Sequence, residues 1–242
     1  MKTASIIIIG NEILSGRTQD TNSNYLAKML VEKGISLQEV RVIPDNHNII
    51  KSVVNNESSL KDYVFTSGGI GPTHDDITAE AIASCFEVPL LVRDDAVELL
   101  AMNYKNGVKD LNAARLRMAR IPEGAKLIKN NISGAPGFII KNVFVMAGVP
   151  QIFEAMVQEI SLDIEPVTPI ISKTIKIFKK ESEISERLWK YATKYQDISI
   201  GSYPFNNSGV FGVEIVLSHT DRAILNKVFN EILLDFNEPK TN

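Results

Sequence analysis

At 242 residues, with 44% hydrophobic and 23% charged side chains, the chain has globular composition and enough interior for one large or two small domains. Its formal net charge of −3 excludes a global basic field for nucleic acid or anionic membrane, and no apolar run approaches the roughly 20 residues of a membrane-crossing helix. Cys85 is the single cysteine, which excludes an internal disulfide, and the N-terminus enters a β-like run rather than a secretion signal, so a cytoplasmic location is expected.

The first predicted element is the apolar run Ile6 to Ile9, followed by the polar loop Gly10-Asn11-Glu12-Ile13-Leu14-Ser15-Gly16. Asp20-Thr21-Asn22-Ser23 then reads as a helix start, with Leu26, Met29, Leu30 and Lys33 on one face and Gly34 closing the helix. The same order returns in Val40 to Ile43, Pro44-Asp45-Asn46, and a helix carrying Ile49, Ile50, Val53 and Val54. A third strand, Tyr63 to Thr66, feeds Ser67-Gly68-Gly69-Ile70-Gly71-Pro72-Thr73-His74-Asp75-Asp76-Ile77-Thr78 and a helix with Ala79, Ile82, Ala83 and Phe86 inward. Strands alternating with helices predict an α/β fold with a mostly parallel sheet, whose ligands lie beyond the carboxyl ends of the strands.

That rim would gather Glu12, Asp20, Asp45, Asp75 and Asp76. Glycines let backbone N–H groups approach a ligand, and a helix N-terminus attracts phosphate. Phosphate beside adjacent carboxylates makes sense with a divalent cation between them, although a turn whose Asp residues cap a helix has the same sequence.

Further along, Asp94 to Met102 and Asn112 to Arg120 read as helices. Arg115 and Arg117 lie two apart and cannot share a face, so the readings are solvated arginines or one arginine folded over phosphates. Asn130 to Gly137 is a loop of small residues, Phe138–140 and Val143–146 are strands, and Gly148-Val149-Pro150 opens a helix through Ile160. The connector Asp163 to Pro169 separates an expected domain at 1–165 from a module at 166–242 with the order strand, helix, strand, strand, helix. That order is shared with KH-type modules, but no Gly-x-x-Gly loop joins two helices, so RNA binding is not expected. Trp189 and Tyr191 read as packing or interface residues, and Cys85 as a small apolar packing residue.

The segments Gly10 to Leu14 with Gly16, Asp20-Thr21-Asn22, Val42 to Asp45, Gly68 to Thr78, Met118 to Ala125, Ala135 to Phe138 and Ala147 to Pro150 carry a resemblance. The chain resembles the N-terminal domain of the competence/damage-inducible (CinA) family and the N-terminal region of eukaryotic FAD synthase. The resemblance implies the three-layer α/β/α molybdopterin-binding-like fold of molybdenum-cofactor assembly proteins. Ile70 stands where those proteins usually have Thr, which favours the competence-protein branch. The resemblance also implies a metal-dependent hydrolase of nucleotide diphosphate linkages, acting on ADP-ribose or FAD. Alternatives are a molybdopterin-binding or adenylyl-transferring protein and a non-catalytic nucleotide sensor.

On this resemblance Asp45 and Asp76 act on the metal–phosphate unit and Glu12 binds metal or orients water. Asp75 is a further metal candidate, and His74 a hydrogen-bond donor to phosphate. Gly10, Asn11, Ser67, Gly68, Gly69, Gly71, Pro72, Thr73, Gly134, Pro136 and Gly148 are the expected nucleotide-binding positions. The cofactor would be magnesium, manganese or cobalt, with potassium as an additional candidate ion. A homo-oligomer is expected, with a dimer favoured.

Overall fold

The structure is a computed structural model that describes residues 2–207 and 209–237; Met1, in the run used to argue against a secretion signal, lies outside the described residues. The chain divides into two compact units, Met1–Val167 and Thr168–Asn242, two residues beyond the expected boundary.

In the first unit β1 (Thr3–Ile9), the short helix α1 (Asn11–Leu14), α2 (Asn22–Glu32), β2 (Ser36–Ile43), α3 (His47–Leu60), β3 (Tyr63–Ser67) and α4 (Thr78–Cys85) follow in order. They are succeeded by β4 (Leu90–Val92), α5 (Asp94–Ala101), α6 (Ala113–Leu116), β5 (Arg120–Pro122), β6 (Lys126–Ile128), β7 (Gly137–Ile140), β8 (Val143–Met146) and α7 (Pro150–Asp163). The main sheet has the order β2-β1-β3-β8-β7-β6. The four strands β2, β1, β3 and β8 are parallel; β7 pairs antiparallel with β8, and β6 antiparallel with β7, so that β6 runs in the direction of the four. Strands β4 and β5 form a separate antiparallel pair.

β1 shows why the sheet is covered on both faces. Successive side chains of a strand point to opposite sides. Ile7 and Ile9 enter one buried cluster with Ile50 and Val54 of α3, Ile82 of α4 and Leu100 of α5. Ala4, Ile6 and Ile8 enter another with Leu26 and Leu30 of α2 and Phe153, Met156 and Ile160 of α7. The unbroken apolar run of β1 is therefore what a doubly covered parallel strand requires, and the unit is the expected three-layer α/β/α fold.

Two local expectations need correction. The segment Gly10–Gly16 is not all loop, because Asn11–Leu14 makes one helical turn. Asn112 to Arg120 is not one helix: α6 passes into a 3-10 turn at Arg117–Ala119 and then into β5. The backbone is already extended at Arg120 (φ −79°, ψ 108°), and Pro122 then holds Ile121 in the extended form.

The second unit comprises β9 (Ile171–Ile177), α8 (Glu181–Lys194), β10 (Ser199–Asn207), β11 (Val210–His219) and α9 (Arg222–Asn237). Its antiparallel sheet has the order β10-β11-β9. Val213, Ile215 and Leu217 of β11 share a core with Ile184 and Leu188 of α8 and Leu225, Val228 and Ile232 of α9. Trp189, expected to pack or lie at an interface, is 67% exposed.

Candidate functional site

The four parallel strands deliver their following loops to one rim: Gly10 after β1, Pro44 and Asp45 after β2, Gly68 after β3, and Ala147 and Gly148 after β8. Hydrogen bonds fix the loops against one another. Gly10 N donates to Ile43 O at 3.2 Å and Gly68 N to Met146 O at 3.0 Å. Thr78 N donates to Gly69 O at 2.9 Å, closing the turn at residues 69–78. Asn22, buried in the first turn of α2, donates from Nδ2 to Ser67 Oγ and to Gly148 O, both at 2.8 Å.

The glycine turn needs its glycines for different reasons. Gly68 has φ +112°, and a Cβ there would lie 2.1 Å from Ile9 O. Gly69 has φ +69°, and its Cβ would lie 2.1 Å from Thr78 Oγ1. Both conformations suit glycine alone, and the neighbours close the space. At Gly71 a Cβ would meet only the carboxylate of Asp76, at 2.7 Å from Oδ2.

A cavity of about 370 Å³ opens at this rim. Of the expected residues it is lined by Glu12, Asp45, Gly68, Gly69, Gly71, Pro72, Asp75, Asp76 and Gly148. Ser67 instead faces a smaller neighbouring cavity with Asp20 and Asn22, and Pro136 lines a slot behind the turn. Gly10, Asn11, Thr73 and Gly134 do not line the main cavity, while Ser133 and Ala135, next to Gly134, do. His74 is 99% exposed at its side chain, lies 4.0 Å from Asp75 Oδ1 and does not line the cavity.

The carboxylates are not equivalent. Asp76 Oδ2 accepts from Thr73 N at 2.8 Å and from the Thr73 hydroxyl, so this side chain shapes the turn as well as facing the cavity. Asp75 is exposed, and its carboxyl is held below the usual carboxylate range, first by the neighbouring Thr73 hydroxyl, whose proton is shared with Asp76, and then by its own backbone amide. Both Asp residues precede α4, whose N-cap is Ile77 with no side-chain cap, so they are not separated by helical geometry and both reach the cavity. Asp45 Oδ2 accepts from Asn11 N at 2.9 Å, joining the loop after β2 to the one after β1; α3 is capped by Asn46 instead. Asp20 does serve a helix start, accepting from Asn22 N at 2.9 Å and Ser23 N at 3.2 Å.

Among the described residues no group of three or more His, Cys, Asp or Glu is placed to hold a metal ion unaided. Magnesium commonly takes only one or two protein carboxylates and completes its shell with phosphate and water. Asp45 and Asp76 on one cavity fit that pattern and not a closed protein cage.

The sequence leaves two readings for Arg115 and Arg117, solvated arginines or one arginine folded over phosphates, and the structure separates the two residues. Arg117 Nη2 donates to Asp76 O at 3.2 Å, behind the glycine turn. Arg115 turns elsewhere, donating to Asp110 O and lying 4.4 Å from the Tyr104 ring centre. Arg120 joins Arg117 at the slot; the two stand three residues apart, a spacing that also brings side chains to one face of a helix.

Residues 5–167 match the family described as "Probable molybdopterin binding domain", and residues 169–241 match "FAD synthase, middle domain". Protein Ta0487 of Thermoplasma acidophilum is 32% identical, covering 96% of this chain and 94% of its own length. A solved structure described as the protein CinA with unknown function, from the same organism, is 34% identical with a TM-score of 0.63, covering 68% of this chain and 99% of that one. A "Probable FAD synthase" of Caenorhabditis briggsae is 31% identical over 89% of this chain, which spans only 46% of that protein. No helix among the described residues is long and apolar enough to cross a membrane. With the parallel sheet, the glycine turn and the full-length likeness together, the chain belongs to the probable molybdopterin binding domain family and carries an FAD synthase middle-like domain after it.

Proposed function

We propose that the rim cavity binds the phosphate of a nucleotide or pterin ligand against the glycine turn, and that its chemistry is adenylyl transfer. The observation that carries this reading is the convergence of Gly69, Gly71, Asp45 and Asp76 on one cavity at the carboxyl ends of four parallel strands. Likeness to the molybdopterin-binding and FAD synthase families supports binding or adenylyl transfer better than the hydrolysis expected from the sequence.

In such a transfer an acceptor phosphate oxygen attacks the α-phosphorus of ATP, and the bond to the departing diphosphate breaks. The protein's part is positioning and charge stabilisation. Backbone amides of the turn hold phosphate oxygens, and Arg117, on the Asp76 carbonyl, keeps the turn in place. Asp45 and Asp76 would hold a divalent cation, which neutralises phosphate charge when bound.

Metal-dependent hydrolysis of a diphosphate linkage is the second reading. It is favoured by the exposed Glu12 and Asp75 on the open side of the cavity, where water reaches the ligand. Incubation with ATP, magnesium and either FMN or a pterin monophosphate, and separately with ADP-ribose or FAD, separates the readings by product chromatography. Adenylyl transfer gives diphosphate and an adenylylated acceptor; hydrolysis gives AMP. Binding without either product would leave a nucleotide sensor. Self-association, a dimer first, remains part of the proposal: Trp189 and Phe211 are 67% and 62% exposed, and light scattering showing only monomer at micromolar concentration would remove it.

A further inference from the structure

Behind the glycine turn, Arg117 and Arg120 line a slot with Gly69, Gly71 and Asp76. Both guanidiniums are partly buried, and the Nε of each is buried without a hydrogen-bond partner. Arg117 has one protein hydrogen bond, Nη2 to Asp76 O. The Arg120 side chain has no hydrogen bond or ion pair among the described residues, its backbone being paired with β4. The nearby Thr78 hydroxyl is likewise buried and unpartnered. The Asp76 carboxylate, which lines the same slot, is turned to Thr73 and is outside ion-pair range of either arginine.

Partly desolvated guanidiniums are costly without anionic partners, because burial removes water that would otherwise solvate the charge. Two of them on one slot make a set of donors without an anionic acceptor. The slot holds about 10 Å³, room for a single oxygen atom. It shares Gly69, Ile70, Gly71, Asp76 and Met118 with the main cavity, so a ligand seated there has the slot at its edge.

We propose that Arg117 and Arg120 form a second anion subsite that takes an oxygen of the second phosphate of a diphosphate-bearing nucleotide, whose other phosphate rests on the glycine turn. The inference deepens the nucleotide reading above and rests on it. It makes the two arginines the determinants that separate diphosphates from monophosphates, a planar donor fork being suited to phosphate oxygens.

The test is calorimetric titration of AMP, ADP and inorganic pyrophosphate into the full chain and into Arg120→Gln, with Arg117→Gln second. Arg120→Gln is the cleaner variant, because it breaks no protein hydrogen bond. It should weaken ADP and pyrophosphate at least about tenfold and AMP less than about twofold, as expected for one lost charge-assisted contact, with Tm unchanged. Arginine-dependent pyrophosphate binding in a protein that binds neither AMP nor ADP would uphold the anion subsite and sink the nucleotide reading. Unchanged ADP and pyrophosphate affinities in both variants, or equal losses for AMP and ADP, would overturn the subsite. A wild-type chain that binds none of the three probes would overturn both.

Discussion

Asn22 Nδ2 donates to Ser67 Oγ at 2.8 Å, tying the first turn of α2 to the last residue of β3, where the glycine turn begins. The same nitrogen reaches Gly148 O, so one buried amide holds the two loops that flank the cavity. Asn22→Ala would leave Ser67 Oγ short of a donor at a buried site and Gly148 O short of one at a part-buried site. The expected cost is about 1–3 kcal/mol, read as a lower Tm. Ser67→Ala should cost less, because Asn22 keeps the Gly148 bond. A Tm unchanged in Asn22→Ala would contradict this assignment.

The glycines should separate by substitution. Gly68→Ala and Gly69→Ala place a Cβ into Ile9 O and Thr78 at positive φ, and should cost more than about 3 kcal/mol each. Gly71→Ala meets only the movable Asp76 carboxylate, so Tm should fall little while nucleotide affinity drops. Equal thermal losses at all three would remove the distinction.

Asp76→Asn and Asp45→Asn test the phosphate chemistry. Asn keeps an acceptor for Thr73 N and for Asn11 N but removes the charge. Turnover, measured by product chromatography, should fall at least about tenfold, roughly 1.4 kcal/mol of transition-state stabilisation, with Tm held or raised. Full activity with early unfolding would mark a purely structural carboxylate.

Asp62 supplies a pH test away from the site. It accepts from Thr3 N at 2.7 Å and from the Thr3 hydroxyl at 2.9 Å, which joins the start of β1 to the residue before β3. Those bonds, the backbone one first, hold its carboxyl below the ordinary value of 3.8. A depressed folded value means that this stabilisation is present above the ordinary value and is lost as pH falls through the folded one. Asp62→Ala should therefore melt below wild type at pH 7, and the gap should shrink on acidification from 3.8 downward. A gap that widens in acid would contradict the assignment.

The sheet and rim were legible because the apolar runs of β1 and β3, and the Val40, Val42 and Ile43 end of β2, each stop at glycine, proline or aspartate before a helical pattern. That periodicity is local, and so is the turn chemistry of Gly68 and Gly69. β4, β5 and β6 were not legible: each has three residues, and β4 and β5 pair only with each other, far apart in sequence. Arg117 and Arg120 stand three residues apart, which puts them on one side of a helical pattern, but the slot they line with Gly69 and Gly71 depends on contacts distant in sequence. His74 was not placed by its sequence position alone: Asp75 and Asp76 beside it line the cavity while its own side chain is exposed.

The most direct measurement is a crystal structure of the chain soaked with ADP and magnesium. The account predicts phosphate density in the rim cavity against the amides near Gly69 and Gly71, with magnesium on Asp45 or Asp76. Nucleotide bound elsewhere, or an empty rim cavity at saturating ADP in an intact fold, would contradict it.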